Sequence, residues 1–204
     1  MENTNLVLSE EERRVVQDAS FILTKNRIIQ KVYGMFGELA NEDRNRWDLL
    51  PPPITGMAPK ISRGENVSGL PWVMLDYPRY FTETDVLAIR IFFWWGNYFS
   101  ITLHLKGKFQ KVLSEGIMSS LPKLKEQAWS VGVGEDPWDH DHHKGIYRPL
   151  MEMDSSAIKV LLENKDSFRL SKKYSLDNWL EAYRNLQNDR NILQTILLDG
   201  LKIS

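Results

Sequence analysis

The chain has 204 residues, 42% hydrophobic and 26% charged, with a net charge of −1. These proportions exclude collagen, extended disorder and a membrane bundle, and the charge balance gives no strongly basic nucleic-acid footprint. There is no cysteine, which excludes disulfides, thiolate zinc sites, iron–sulfur clusters and a catalytic thiol.

The first nine residues carry neither a basic n-region nor an apolar h-region, so no secretory signal is expected. The longest apolar run, Val86 to Trp95, is interrupted by Arg90 and spans about half the length a bilayer crossing needs. The expectation is a cytoplasmic protein with no membrane partner. It folds as one α+β domain over 1–204, divided into a helical region (1–50), a Pro/Gly-rich connection (51–69), a sheet region (70–153) and a second helical region (154–204).

Ser9-Glu10-Glu11-Glu12 has the pattern of a capping box and opens a helix. Val15, Val16, Ala19, Ile22 and Leu23, then Ile28, Ile29, Val32, Tyr33, Phe36 and Leu39, recur at helical spacing. They predict one long helix, or two with a break near Thr24 to Asn26. Asn41 to Leu50 has room for one more turn before Pro51-Pro52-Pro53 stops any helix. Pro51 to Gly69 reads as an irregular connection, with room for a short strand.

Leu70 to Tyr77 predicts a strand ended by Pro78. Two β-rich runs, 86–95 and 98–107, flank Gly96-Asn97 and predict a hairpin. A strict two-residue loop mixes polar and apolar side chains on both faces. A three-residue loop or bulge, pairing Trp95 with Phe99 and Ile91 with Leu103, sorts them. One face is then wholly apolar, and the other carries Arg90, Phe92, Trp94, Ser100, Thr102 and His104.

Phe109 to Met118 predicts a helix interrupted by Ser120-Leu121-Pro122. Trp129 to Val133 and Ile146 to Met153 predict short strands around a polar loop, DPWDHDHHKG, over 136–145. Asp154 or Ser155 caps a helix through Leu162, and 168–174 fits strand and helix equally. Ser175 is expected to cap a final helix running to a stop at Gly200. An antiparallel sheet of about four to six strands would carry the hairpin, with the terminal helices on its apolar face.

Chemistry has two places to sit. Asp139, His140, His142 and His143 combine imidazole and carboxylate, the ligand types of zinc, nickel and copper. In an extended segment His140 and His142 point the same way, so with Asp139 they form a candidate site for a divalent transition metal. A catalytic site would need a further donor, for which Asp76, Glu152 and His104 are available. The plainer reading is a solvated loop. The second place is the mixed hairpin face, where Arg90, Trp94, Thr102 and His104 offer apolar walls with a few placed polar groups. Its plainer reading is an ordinary sheet face covered by a helix, with Arg90 reaching out to an acid at the rim. Asp76 and Arg79 read as a structural ion pair.

The leading expectation is a non-catalytic binding protein using the hairpin face for a small molecule or a protein partner. The alternatives are a metal-dependent, hydrolase-like enzyme built on His140 and His142, and a homodimeric scaffold paired through the hairpin. Nucleic acid is not favoured as a partner.

Overall fold

A computed structural model describes residues 6–42, 47–52 and 54–202. Its described residues form five helices: α1 (Glu10–Gln17), α2 (Ala19–Glu42), α3 (Lys108–Glu126), α4 (Ser155–Asn164) and α5 (Trp179–Lys202). Seven strands accompany them: β1 (Lys60–Val67), β2 (Leu70–Phe81), β3 (Val86–Trp94), β4 (Tyr98–Lys106), β5 (Ser130–Gly132), β6 (Tyr147–Pro149) and β7 (Ser167–Ser175). The strands make one antiparallel sheet in the order β1-β2-β3-β4-β7-β5-β6. The α+β expectation holds, with more strands than anticipated.

The sheet separates two environments. On one face Ile89, Ile91 and Phe93 of β3 join Phe99, Ile101 and Leu103 of β4 in the main core. Phe36 and Leu39 of α2, Leu113 and Ile117 of α3, and Leu193 and Leu197 of α5 close that core. The other face holds a smaller apolar cluster of Met74, Phe92, Trp94 and Tyr98 beside a band of buried polar residues.

The hairpin pairs Trp94 with Tyr98, Arg90 with Thr102 and Ile91 with Ile101. The faces sort as the sequence argument requires and the loop has the expected three residues, but it is centred one residue earlier, so each β3 residue pairs with a β4 residue two positions earlier than expected. Trp95, Gly96 and Asn97 form the loop, Gly96 takes a positive φ of 70°, and the Asn97 N–H closes on the Trp94 carbonyl at 3.0 Å. A left-handed residue at the loop centre suits glycine, which places the centre at Gly96.

Other boundaries differ for identifiable reasons. The first helix breaks at Asp18, whose carboxylate accepts the N–H groups of Ser20 and Phe21, and not at Thr24 to Asn26. The expected turn over Asn41 to Leu50 lies partly outside the described residues, as does Pro53. The connection contains a full strand, β1. Pro78 does not end β2; it sits in a bulge between the Asp76–Arg90 and Arg79–Ala88 pairs, where no ladder donor is needed. Pro122 does not break α3, because Leu121 and Leu124 on either side are buried in the core. Asn178, not Ser175, caps α5 by accepting the Glu181 N–H. Gly200 does not stop that helix; it lies so close to α3 that an added Cβ would sit 2.6 Å from Leu113 Cδ2.

Candidate functional site

The two candidate places turn out to be one. The β5–β6 connection, 133–146, folds back as a strap across the polar face of the sheet. Its base is closed by the Val133 N–H on the Ile146 carbonyl at 2.8 Å and by Lys165 Nζ on the Val133 and Gly134 carbonyls at 2.8 and 2.6 Å.

The sheet supplies the floor in rows set by register. Asp76, Arg90, Thr102 and Ser171 lie side by side across β2, β3, β4 and β7. In the next row His104 pairs with Arg169. Arg90 Nε donates to Asp76 Oδ1 at 2.7 Å, and Arg79 instead reaches the Ala58 carbonyl at 3.0 Å, so the expected Asp76–Arg79 pair is replaced by Asp76–Arg90. Arg169 is only 2% exposed. It lies across Gly132, where an added Cβ would meet its Nε at 2.9 Å, and under the Tyr147 ring at 5.1 Å. Glycine is required at 132 for that close approach.

The strap supplies the ceiling through alternate residues. Trp138 sits edge-on to His104 at 5.0 Å, with Arg90 5.3 Å from its ring centroid. The His140 ring lies 5.6 Å from Phe92. The His142 ring stacks on Tyr147 at 4.0 Å and 11°. His140 and His142 do point the same way, as extended backbone dictates, but toward different partners. A short helical turn over 142–144 then swings His143 against Trp94 and Tyr98.

The hydrogen bonds fix the ring tautomers. Arg90 Nη1 lies 3.2 Å from His140 Nε2. Guanidinium only donates, so that nitrogen is an acceptor and the proton sits on Nδ1. Ser171 Oγ donates to the Ile101 carbonyl at 3.1 Å, which spends its one proton. Thr102 Oγ1 at 2.8 Å and His142 Nε2 at 3.0 Å are therefore its donors. The Tyr98 hydroxyl donates to the His140 carbonyl at 2.8 Å and accepts the His142 N–H at 2.9 Å.

The buried ring of His104 and the partly buried rings of His140 and His142 are all held neutral. Burial, then the charges of Arg90, Arg169 and Lys106, lowers His104 to about 3. Burial, with Arg90 and Arg169 next, holds His140 well below the ordinary imidazole range. Burial and the nearby Lys173 bring His142 to about 4. Burial raises the Tyr98 hydroxyl well above its ordinary range.

This geometry does not assemble the expected metal set. The Nε2 atoms of His140 and His142 face Arg90 and Ser171. The Asp139 carboxylate is taken by Lys144 Nζ at 2.7 Å and the Asp141 N–H at 2.9 Å. Among the described residues no group of three His, Cys, Asp or Glu side chains is placed to hold a metal ion. Ser171 and His142 touch like a nucleophile and its base, but the serine is fully buried and its proton is committed to a carbonyl.

Of the four hairpin-face residues, Arg90, Thr102 and His104 lie in the polar band beneath the strap. Trp94 belongs to the apolar end, its indole N–H bonded to the Val67 carbonyl at 3.1 Å. Sequence reasoning missed Arg169 and Ser171, because 168–174 was ambiguous between strand and helix. It also missed Tyr98 and Tyr147 as the strap's supports. The available signal was alternation in Phe168-Arg169-Leu170-Ser171, apolar then polar at period two. The hairpin is flanked on both sides, by β2 and β7, so it offers no free strand edge for pairing with a second copy. No described helix is long and apolar enough to cross a membrane. Compared with known proteins, the chain matches no family model, no curated protein and no solved structure.

Proposed function

We propose that the protein is a non-catalytic, cytoplasmic binding protein whose ligand is a small anion, a carboxylate or phosphate, received by the polar band when the strap lifts. One observation carries this reading: Arg169 is a buried cation without a carboxylate at ion-pair distance among the described residues. Its Nη1 donates only to neutral acceptors, the Asp139 carbonyl at 2.8 Å and the Tyr147 hydroxyl at 3.4 Å. Burying a charge without a counter-charge costs several kcal/mol in a protein interior. An anionic oxygen in place of the strap's carbonyl removes that cost, and a guanidinium fork suits carboxylate and phosphate geometry. Arg90, Thr102 and the orphaned ring nitrogen Nδ1 of His104 supply further polar groups on the same face. His140 and His142 belong to the strap and move with it.

The test is thermal unfolding in inorganic phosphate and in citrate at constant ionic strength, with tryptophan fluorescence reporting the strap through Trp138. A saturable rise in melting temperature is expected for the wild type and not for Arg169→Met. Arg169→Lys, which keeps the charge, should retain part of it. No saturable response to either anion, or an equal response in Arg169→Met, sinks the reading.

A further inference from the structure

The strap lays a flat ring on the polar face as well as an oxygen. His142 lies parallel to Tyr147 at 4.0 Å and 11°, the one face-to-face ring stack among the described residues. The edge of that ring is specified too. His142 Nε2 lies 3.0 Å from Ser171 Oγ, whose proton is committed to the Ile101 carbonyl, so the ring donates there. At its hydroxyl end Tyr147 lies 3.4 Å from Arg169 Nη1, the same nitrogen that holds the Asp139 carbonyl at 2.8 Å. One tyrosine thus carries a stacked ring on its face and an oxygen–guanidinium contact at its edge.

The scale of the site follows from the strand beneath it. Arg169 and Ser171 stand two residues apart on β7 and share the polar face. That is about 6.6 Å along the strand, the length of one small molecule. Arg169 and Lys173 both repel a positive charge at the ring position, so a ring suited to it is neutral.

We infer that the ligand of this site is a planar heteroaromatic acid: a neutral ring with an N–H at its edge, joined by a short link to one anionic group. The inference rests on the small-anion reading of Arg169 and specifies what the anion is attached to. The ring takes the place of His142 between Tyr147 and Ser171, and the anionic oxygen takes the place of the Asp139 carbonyl on Arg169. Both strap groups leave together when the strap lifts, because only His140 and Asp141 separate them in the chain. A bare anion replaces one of them. It leaves the Tyr147 face bare and takes from Ser171 one of its two donors. A ring stacked on an aromatic face and a sheltered N–H bond each add affinity that the bare anion lacks. A saturated ring fails the first contact and an N-methylated ring the second.

The experiment is isothermal titration calorimetry of the full chain at about pH 8, where an ordinary imidazole is largely neutral. The probes are imidazole-4-acetate, its analogue methylated on the ring nitrogen remote from the side chain, cyclopentylacetate, citrate and inorganic phosphate. Imidazole-4-acetate should bind at least about tenfold tighter than either organic analogue. Tyr147→Phe keeps the ring and should keep that preference. Tyr147→Leu should abolish the preference over cyclopentylacetate and leave the phosphate response, which needs Arg169. Each ratio is taken within one chain, and the wild-type series decides alone if Tyr147→Leu does not fold. Equal affinity of the wild type for imidazole-4-acetate and cyclopentylacetate, with phosphate or citrate bound, overturns this inference and leaves the small-anion reading standing. A preference that survives in folded Tyr147→Leu overturns it as well. No binding of phosphate, citrate or any of the acids sinks both.

Discussion

Acid should loosen the strap, and the size of the effect follows from the buried histidines. His104 is 1% exposed, has no hydrogen-bond partner on Nδ1 among the described residues, and is lowered from an ordinary 6.5 to about 3. Its value is depressed in the fold, so the unfolded chain takes up the proton first. The stability contributed by keeping it neutral is complete above pH 6.5. It is lost as the pH falls from there toward the folded value. At pH 5 one such ring costs about 2 kcal/mol, from about 1.5 pH units at 1.36 kcal/mol each. His140 and His142 are shifted in the same direction and add to the loss. Urea unfolding of the wild type and of His104→Leu at pH 7 and pH 5 isolates the effect of one ring. Taking the pH 7 to pH 5 difference within each chain cancels the packing change of the substitution. The variant should lose about 2 kcal/mol less than the wild type across that interval. Identical pH dependence in the two chains would mean that His104 is protonated or solvated in the fold, and the account of a neutral polar band would fail.

Two further substitutions probe the same layer. Tyr98→Phe removes the hydroxyl that joins the His140 carbonyl to the His142 N–H, leaving both without that partner; a loss of about 1–3 kcal/mol is expected, with faster hydrogen exchange over 138–143, and unchanged exchange there would show that the hydroxyl does not hold the strap. Asp76→Leu leaves Arg90 buried without its carboxylate and should cost about 3–5 kcal/mol in urea unfolding, while a loss below about 1 kcal/mol would show the pair to be solvated.

The fold was legible where one period dominated. Ser9 and Glu12 announced a cap that forms on both sides, with Ser9 N–H on Glu12 and Glu12 N–H on Ser9. The hairpin faces followed from alternation alone. Pattern failed where packing overrode a local rule: Pro78 and Pro122 are breakers by propensity, yet each sits inside an element whose neighbours are buried. It failed again in β7, where Lys172, Lys173 and Ser171 dilute the apolar signal of a strand that lies inside the sheet. Both candidate site segments were visible. Their contact was not, because nothing local says that a loop after β5 folds back onto residues some forty positions earlier.

A physical reason nevertheless links them. A sheet face that buries Arg90, Arg169 and Tyr98 needs acceptors above it. A helix cannot provide them, because its interior carbonyls are already committed to its own N–H groups. An extended segment keeps its carbonyls free, and its side chains alternate toward and away from the sheet. The strap uses both properties. The Asp139 and His140 carbonyls meet Arg169 and Tyr98, while Trp138, His140 and His142 fill the spaces between rows. Asp139 and Asp141 turn to the strap's own backbone and hold its curvature. A polar face on a buried hairpin is thus a sequence-level sign of loop cover. The oxygens by which the loop satisfies that face are the kind a small anion would bring, which is why displacement of the strap and occupation of the site are expected to be one event.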